Sequence, residues 1–124
     1  MFNPQRFLDM SKNLEPQSSD EKVARTCIGR AYYAAFLSAR ETIRRYYPTQ
    51  LASLRRKGDA HQFVRSKLID RGKPNIANKL LDLSDKRNRA DYELSNYSSV
   101  ADQQREVTKS IQLCENIISL LSSV

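Results

Sequence analysis

Residues 86–94 place polar side chains where a helix would otherwise bury apolar ones. The segment reads Lys-Arg-Asn-Arg-Ala-Asp-Tyr-Glu-Leu, and at about 100° per residue Arg87, Asn88 and Asp91 continue the apolar face of the preceding residues. Isolated charge on a buried face is costly, so these groups must pair, form hydrogen bonds or turn toward a cleft or partner. Two interpretations are open: a structural pair between Arg87 and Asp91, or a functional site.

A large excess of positive charge accompanies this cluster. The chain carries 21 Lys and Arg against 14 Asp and Glu, with a formal net charge of +7 and a pI near 9.6. Such an excess favours a polyanion such as RNA or DNA, or an acidic protein, as partner, although a solvated basic surface explains it equally well. The basic residues concentrate at 40–45, at 55–57 and in a third group, Lys86, Arg87 and Arg89.

His61 is the one histidine of the chain, and it follows the second basic group. A lone histidine at the beginning of a helix is usually a solvated or hydrogen-bonded surface residue. In a helical bundle, however, it can also approach the polar cluster from a neighbouring helix. Both interpretations are open at this point.

Other kinds of chemistry find little support in the sequence. Cys27 and Cys114 lie in apolar helical stripes without the spacing of a zinc site or a disulfide framework, so we expect two buried free thiols. No glycine-rich phosphate loop, no His and carboxylate set at metal spacing and no serine nucleophile motif occurs. We therefore expect no metal and no cofactor.

The fold that must position these residues is predicted to be all-α. The 124 residues correspond to one domain, 1–124, with three Gly, four Pro and no alternating pattern of the kind that strands require. The N-terminus does not resemble a signal peptide, and no window approaches the roughly 18 apolar residues that span a membrane. We expect a single cytoplasmic domain without membrane contact.

Two helices are predicted in the first half of the chain. A short amphipathic helix covers about residues 4–14. Ser18 and Glu21 form a capping-box pattern that opens a second helix of about 28 residues, and Pro48 stops it. A helix of this length must be the central element of the domain. Its aromatic residues are expected to fill the core rather than to stack on bases: Tyr32, Tyr33 and Phe36.

The remaining helices carry the candidate residues. Asp59 is the predicted N-cap of a helix that contains His61 and ends at Gly72. Pro74 opens the helix that carries the polar cluster, and a loop at about 95–99 precedes the last helix. The sum is an antiparallel four-helix bundle with a short extra N-terminal helix.

Two short motifs on these helices resemble a known family. Arg-Ala-Tyr-Tyr-Ala-Ala-Phe at 30–36 and Arg-Asn-Arg-Ala-Asp-Tyr at 87–92 are similar to motifs of stand-alone prokaryotic members of the HEPN superfamily of small helical bundles. The resemblance covers roughly residues 15–122 in motif order and spacing. It implies a homodimer whose site lies at the interface, and it implies metal-independent cleavage of RNA in a toxin–antitoxin or defence system.

The resemblance also implies roles for individual residues. Arg87 and Asn88 match the beginning of the family pattern, in which Arg holds a phosphate and stabilises developing charge. No His follows at the family spacing, where Tyr92 stands instead. Asp91 or Tyr92 must then supply proton transfer, although Tyr, with a pKa near 10, is a weak base at neutral pH. Further RNA contacts are expected from the nearby basic and polar residues, namely Asn88, Lys86, Arg89 and His61.

The absent histidine keeps two other functions open. One is a non-catalytic HEPN module that binds a nucleotide, RNA or a partner protein such as a cognate antitoxin or nucleotidyltransferase. The other is a helical dimerisation domain without a nucleic-acid ligand. A DNA-binding helix-turn-helix is disfavoured because the central helix is too long for that arrangement.

Overall fold

The described part of the chain, residues 3–92 and 99–124 of a computed structural model, contains helices and no strands. Only the backbone is described for residues 57, 91 and 92. The all-α prediction is confirmed for this part, whereas the antiparallel order of four helices stays a prediction. None of the described helices combines the length and apolar character needed to cross a bilayer. The helices are α1 (Gln5–Leu14), α2 (Glu21–Arg44), α3 (Pro48–Ala52), α4 (Lys57–Asp70), α5 (Pro74–Tyr92) and α6 (Val100–Leu121), with a 3-10 turn at Glu15–Gln17.

Helix α2 is the central element of the bundle, because it contacts α1, α4, α5 and α6. Small side chains on the buried face of α2 let these neighbours approach closely, and larger residues of α4, α5 and α6 belong to the same core. The fully buried alanines of α2 are Ala24, Ala31, Ala34, Ala35 and Ala39.

The N-terminus of α2 differs from the predicted capping box. Asp20 is the N-cap, and its carboxylate accepts hydrogen bonds from the backbone N–H groups of Lys22 and Val23. Ser18 lies two residues earlier and is buried, with its carbonyl oxygen accepting a hydrogen bond from the Gln103 side chain of α6. The carboxylate of Asp20 therefore caps α2, a role that the sequence pattern assigned to the hydroxyl of Ser18. Helix α2 has 24 residues and ends at Arg44, before the predicted end.

Helix α4 also begins earlier than predicted. It starts at Lys57, and its N-cap residue, Arg56, makes no side-chain hydrogen bond to the first turn, so Asp59 lies inside the helix rather than at its cap. The predicted end at Gly72 is confirmed. Gly72 has a φ of +77°, and its N–H donates to the Ile69 carbonyl while the next N–H donates to Leu68, as in a Schellman ending.

Both cysteines are free and buried, as the sequence predicts. Burial raises the pKa of Cys27 to about 11 and that of Cys114 to about 12, so both thiols are protonated at neutral pH. The Cys27 carbonyl accepts a hydrogen bond from the buried Ser11 hydroxyl, which ties α1 to α2. Cys27 and Cys114 thus act as core residues.

Replacing the N-cap of α2 tests how the central helix is secured. Asp20→Ala is expected to lower the free energy of unfolding by about 1 kcal/mol, because two N–H groups lose their acceptor. Asp20→Ser keeps an acceptor and is the matched control, with a loss well below that of Asp20→Ala. Chemical unfolding monitored by circular dichroism measures both, and equal losses in the two variants would contradict the capping role.

Candidate functional site

An open cleft of about 540 Å³ lies between α2, α4 and α5. Ser84, Arg87 and Asn88 of α5 line it from one side, and His61 of α4 lines it from another. Arg87 is half-buried and Asn88 is exposed, so the α5 cluster faces the cleft edge rather than the closed core. The structure thus brings the lone histidine to the arginine of the polar cluster.

The ring of His61 is fixed by two aromatic residues of α2. It stacks on Phe36 with 3.9 Å between ring centroids and 9° between the ring planes. Its Nδ1 atom shares a hydrogen bond with the hydroxyl of Tyr32, whose side chain is fully buried. Stacking and hydrogen bonding together leave Nε2 as the ring nitrogen available to a ligand.

Tyr32 is influenced by α5 as well as by this histidine. Its hydroxyl bonds to His61, and Ser84 and Arg87 of α5 lie close enough to affect its pKa. Burial raises the pKa of Tyr32, and the Ser84 hydrogen bond and the charge of Arg87 offset part of that shift. Since a neutral hydroxyl can either donate or accept, Tyr32 supports both tautomers of a neutral imidazole.

The imidazole of His61 is neutral at physiological pH. Burial, followed by the positive charges of Arg87, Arg65 and Arg40, lowers its pKa to about 4. Each of the three guanidinium groups comes from a different helix: α5, α4 and α2. All of these causes disfavour the imidazolium form.

Arg40 lines the cleft and carries a buried hydrogen-bond donor. Its Nε atom has no hydrogen-bond partner among the described residues, and its Nη2 is 3.9 Å from the Glu41 carboxylate. A buried donor without a partner is costly, and a bound anion would satisfy it. Arg40 therefore marks the cleft as a place for an anionic ligand.

The backbone and the charges around the cleft also favour an anionic ligand. Gly58 and Ala60, from the first turn of α4, line the cleft, and no side chain caps that turn. The positive end of a helix dipole favours an anion there. None of the described lining residues is acidic. Among the described side chains, no three His, Cys, Asp or Glu lie together as metal ligands would.

The Arg87 guanidinium packs on aromatic rings of α2. Its Cζ atom lies 5.2 Å from the ring centroids of both Tyr32 and Tyr33. Tyr32 and Phe36 are buried as predicted, but the core assignment of Tyr33 is wrong, because 36% of this side chain is exposed. Tyr33 lies on the α2 face toward the cleft, where its ring forms part of the wall.

Two other candidate residues point away from the cleft. Lys86 forms a salt bridge of 3.1 Å with Glu106 of α6, and Arg89 approaches the same carboxylate at 3.7 Å. Neither lines the cleft. The side chains of Asp91 and Tyr92, to which the sequence assigned proton transfer, lie outside the described residues.

Sequence reasoning missed the parts that Arg40, Tyr32 and Tyr33 play in this site. Arg40 was visible only as one residue of a basic cluster, and Tyr32 only as a core aromatic. The seven-residue spacing of Tyr33 and Arg40 places both on one face of a helix and is the signal that could have linked them. The four-residue spacing of His61 and Arg65 on one helix makes them neighbours, whereas the nearness of Arg65 to Arg87 depends on how α4 packs.

Comparisons with known proteins found no matching family model, no matching curated protein and no matching solved structure. The HEPN resemblance therefore rests on the two motifs in the sequence.

The low pKa of His61 has a consequence for stability. As the pH falls from about 6.5 to about 4, the unfolded chain binds a proton at His61 while the folded chain does not, so stability falls through this window. We expect His61 to account for a loss of about 1 kcal/mol between about pH 7 and pH 5, after allowance for solvent screening of the half-buried ring.

The variant His61→Gln isolates this contribution, because the carboxylates titrate alike in both proteins. Urea unfolding of each protein at the two pH values gives the comparison. A pH-dependent loss that is the same in wild type and variant would contradict a neutral, partly buried imidazole.

Proposed function

We propose that this protein is a HEPN-type protein that acts on RNA, and that the cleft between α2, α4 and α5 binds the RNA backbone. One observation carries the proposal: His61 and Arg87 line a single open cleft, together with Arg40, whose buried Nε has no partner. Guanidinium groups recognise phosphate through paired N–H donors. The exposed Asn88 amide at the cleft edge is a further donor for a phosphate or ribose oxygen.

The proposed reaction is cleavage of the RNA backbone without a metal ion. The ribose 2′-oxygen attacks the adjacent phosphorus as its proton passes to a base, the bond from phosphorus to the 5′-oxygen breaks, and that oxygen takes up a proton. The products are a 2′,3′-cyclic phosphate and a 5′-hydroxyl. Arg87 and Arg40 offset the negative charge that accumulates on the phosphoryl oxygens in the transition state.

His61 is the proposed proton-transfer group, in the place that the sequence left to Asp91 or Tyr92. Its Nε2 accepts the 2′-hydroxyl proton when Nδ1 donates to Tyr32, and the resulting imidazolium returns a proton to the leaving oxygen. A pKa of about 4 makes the free imidazole a weak base. A phosphate anion between the arginines opposes their charge and raises that pKa toward its ordinary value.

A non-catalytic binding module is the second candidate, and the low pKa of His61 is the observation that favours it. An imidazole that stays neutral and weakly basic is a hydrogen-bonding group rather than an acid–base catalyst at neutral pH. In that case the cleft holds an RNA or nucleotide phosphate without breaking a bond. The sequence resemblance further supports, as proposals, a homodimer and a cognate antitoxin or nucleotidyltransferase in a prokaryotic toxin–antitoxin or defence system.

Replacing Arg87 tests the cleft directly. Arg87→Gln is expected to reduce cleavage of a labelled structured RNA in EDTA by about 100-fold or more, because a charge-stabilising donor is lost. Arg105→Gln is the matched control, since Arg105 is an exposed residue of α6 paired with Asp102, and it should keep wild-type activity. Gel electrophoresis of the RNA measures the rates.

The outcome also separates the two candidates. The cleft belongs to a binding module if two results are found together. The wild-type protein leaves RNA intact, and RNA binding weakens in Arg87→Gln but not in Arg105→Gln. If Arg87→Gln and Arg105→Gln behave alike in both cleavage and binding, the cleft has no part in RNA recognition.

The pKa of the single histidine, measured by NMR, reports directly on anion binding in the cleft. Since the chain contains one His, its imidazole NMR signals belong to His61 without ambiguity. The pKa should be near 4 in the free protein and should rise when inorganic phosphate is added, because the anion offsets the charges of Arg87, Arg65 and Arg40. Titration in chloride at matched ionic strength is the control, and an unchanged pKa with phosphate would count against an anion site.

A further inference from the structure

A second depression of about 190 Å³ adjoins the central cleft along α2. Its wall consists of Arg25, Thr26, Gly29, Arg30 and Tyr33. Tyr33 lines the central cleft as well, so the two depressions share a side chain. Together they form one surface along the exposed face of α2.

Helix geometry sets the order of residues on this surface. At about 100° per residue, Arg30, Tyr33 and Arg40 fall within an arc of about 80° on α2. At about 1.5 Å per residue, roughly 15 Å of helix separates Arg30 from Arg40, with Tyr33 between them. Two guanidinium groups therefore flank one aromatic side chain on one face.

Arg30 resembles Arg40 in carrying a buried donor. Its Nε atom has no hydrogen-bond partner within the described part of the chain. Its guanidinium lies 5.3 Å from the ring centroid of Phe7 of α1, a contact that attracts the cation but leaves its charge in place. The neighbouring Arg25 differs, because it is paired with Glu21. Arg30 is thus the group in this depression with a donor left for an anion.

Tyr33 presents an aromatic ring at the junction of the two depressions. More than a third of its side chain is exposed, and its ring lies 6.2 Å from Phe7 and 5.7 Å from Tyr32 between centroids. These neighbours hold the ring in place. Exposed aromatic rings beside cationic groups are the usual platforms for stacking the bases of single strands.

We propose that the α2 face extends the RNA site beyond the central cleft, with Arg30 binding a second phosphate of the same strand and Tyr33 stacking a base between the two phosphates. The inference rests on the proposed RNA binding at the central cleft and adds the length and the conformation of the RNA. At about 3.4 Å per stacked nucleotide, the span from Arg30 to Arg40 holds roughly four nucleotides of one strand. A duplex cannot place a base on Tyr33, because its bases are already paired and stacked.

Oligonucleotides of two lengths test this extension. Di-adenylate has one phosphodiester and can fill one phosphate position, whereas hexa-adenylate can fill both. The 2′-O-methyl forms are used because they lack the attacking hydroxyl and stay intact during the measurement. Binding is followed for both through the His61 imidazole signals, which report occupancy of the central cleft.

The variants Arg30→Gln and Tyr33→Leu are expected to weaken hexa-adenylate binding at least about fivefold and to leave di-adenylate binding unchanged. Arg30→Gln should also make the hexamer less sensitive to salt by about one phosphate contact. Arg30→Lys and Tyr33→Phe keep the charge and the ring, so both should bind the hexamer nearly as wild type does. Arg105→Gln controls for loss of one positive charge elsewhere on the surface.

Different results overturn different statements. If both oligonucleotides bind and Arg30→Gln affects neither, the extension along α2 is wrong while the central cleft stands. If Arg30→Gln changes the oligomeric state in light scattering without changing hexamer binding, this face belongs to a second copy of the chain, and the extension is again wrong. If folded wild-type protein binds neither oligonucleotide, the proposed RNA function fails with it.

Discussion

The stacking of His61 on Phe36 is the contact on which the cleft depends. It joins the beginning of α4 to the middle of α2, where both helices face α5. The centroids of the two rings are 3.9 Å apart. With the Tyr32 hydrogen bond it fixes the imidazole in one orientation and partly excludes water from it. The low pKa of the ring follows first from that burial, and the cationic surroundings add to it. Val64 and Leu68 bury the later turns of α4 in the core, and the stack fixes its beginning beside the cleft.

Described cations of this protein differ in what lies against them, as Lys86, Arg44 and Arg30 show. Lys86 and Arg44 lie against carboxylates, so their fields largely cancel at a distance. Arg30 instead packs on Phe7, and an aromatic face attracts a guanidinium while leaving its full charge available to a ligand. Aromatic packing along α2 is thus a way to position positive charge at low cost and still present it to an anion.

Local rules predicted the helices well and the site only in part. Gly72 ends α4 because glycine readily adopts a positive φ, and Pro74 opens α5 because the first helical position needs no N–H donor. Both positions were predicted correctly. The cap of α2 was wrong by two residues, because Ser18 and Asp20 both suit an N-cap and tertiary burial of Ser18 decides between them. Tyr32 and Tyr33 are neighbours of one type, and only the packing of α1, α4 and α5 around α2 shows which one is buried. The meeting of His61 with Arg87 depends on that same packing, so helical periodicity could suggest it but not establish it.

The histidine and the arginine of the cleft belong to one polypeptide, and this has a consequence for how the site forms. A site shared between two subunits exists only while the subunits are associated, so its occupancy falls as the protein is diluted. Here α2, α4 and α5 of a single chain bring His61 and Arg87 to the same cleft. These two side chains therefore meet when the domain folds, at any protein concentration at which the domain is folded.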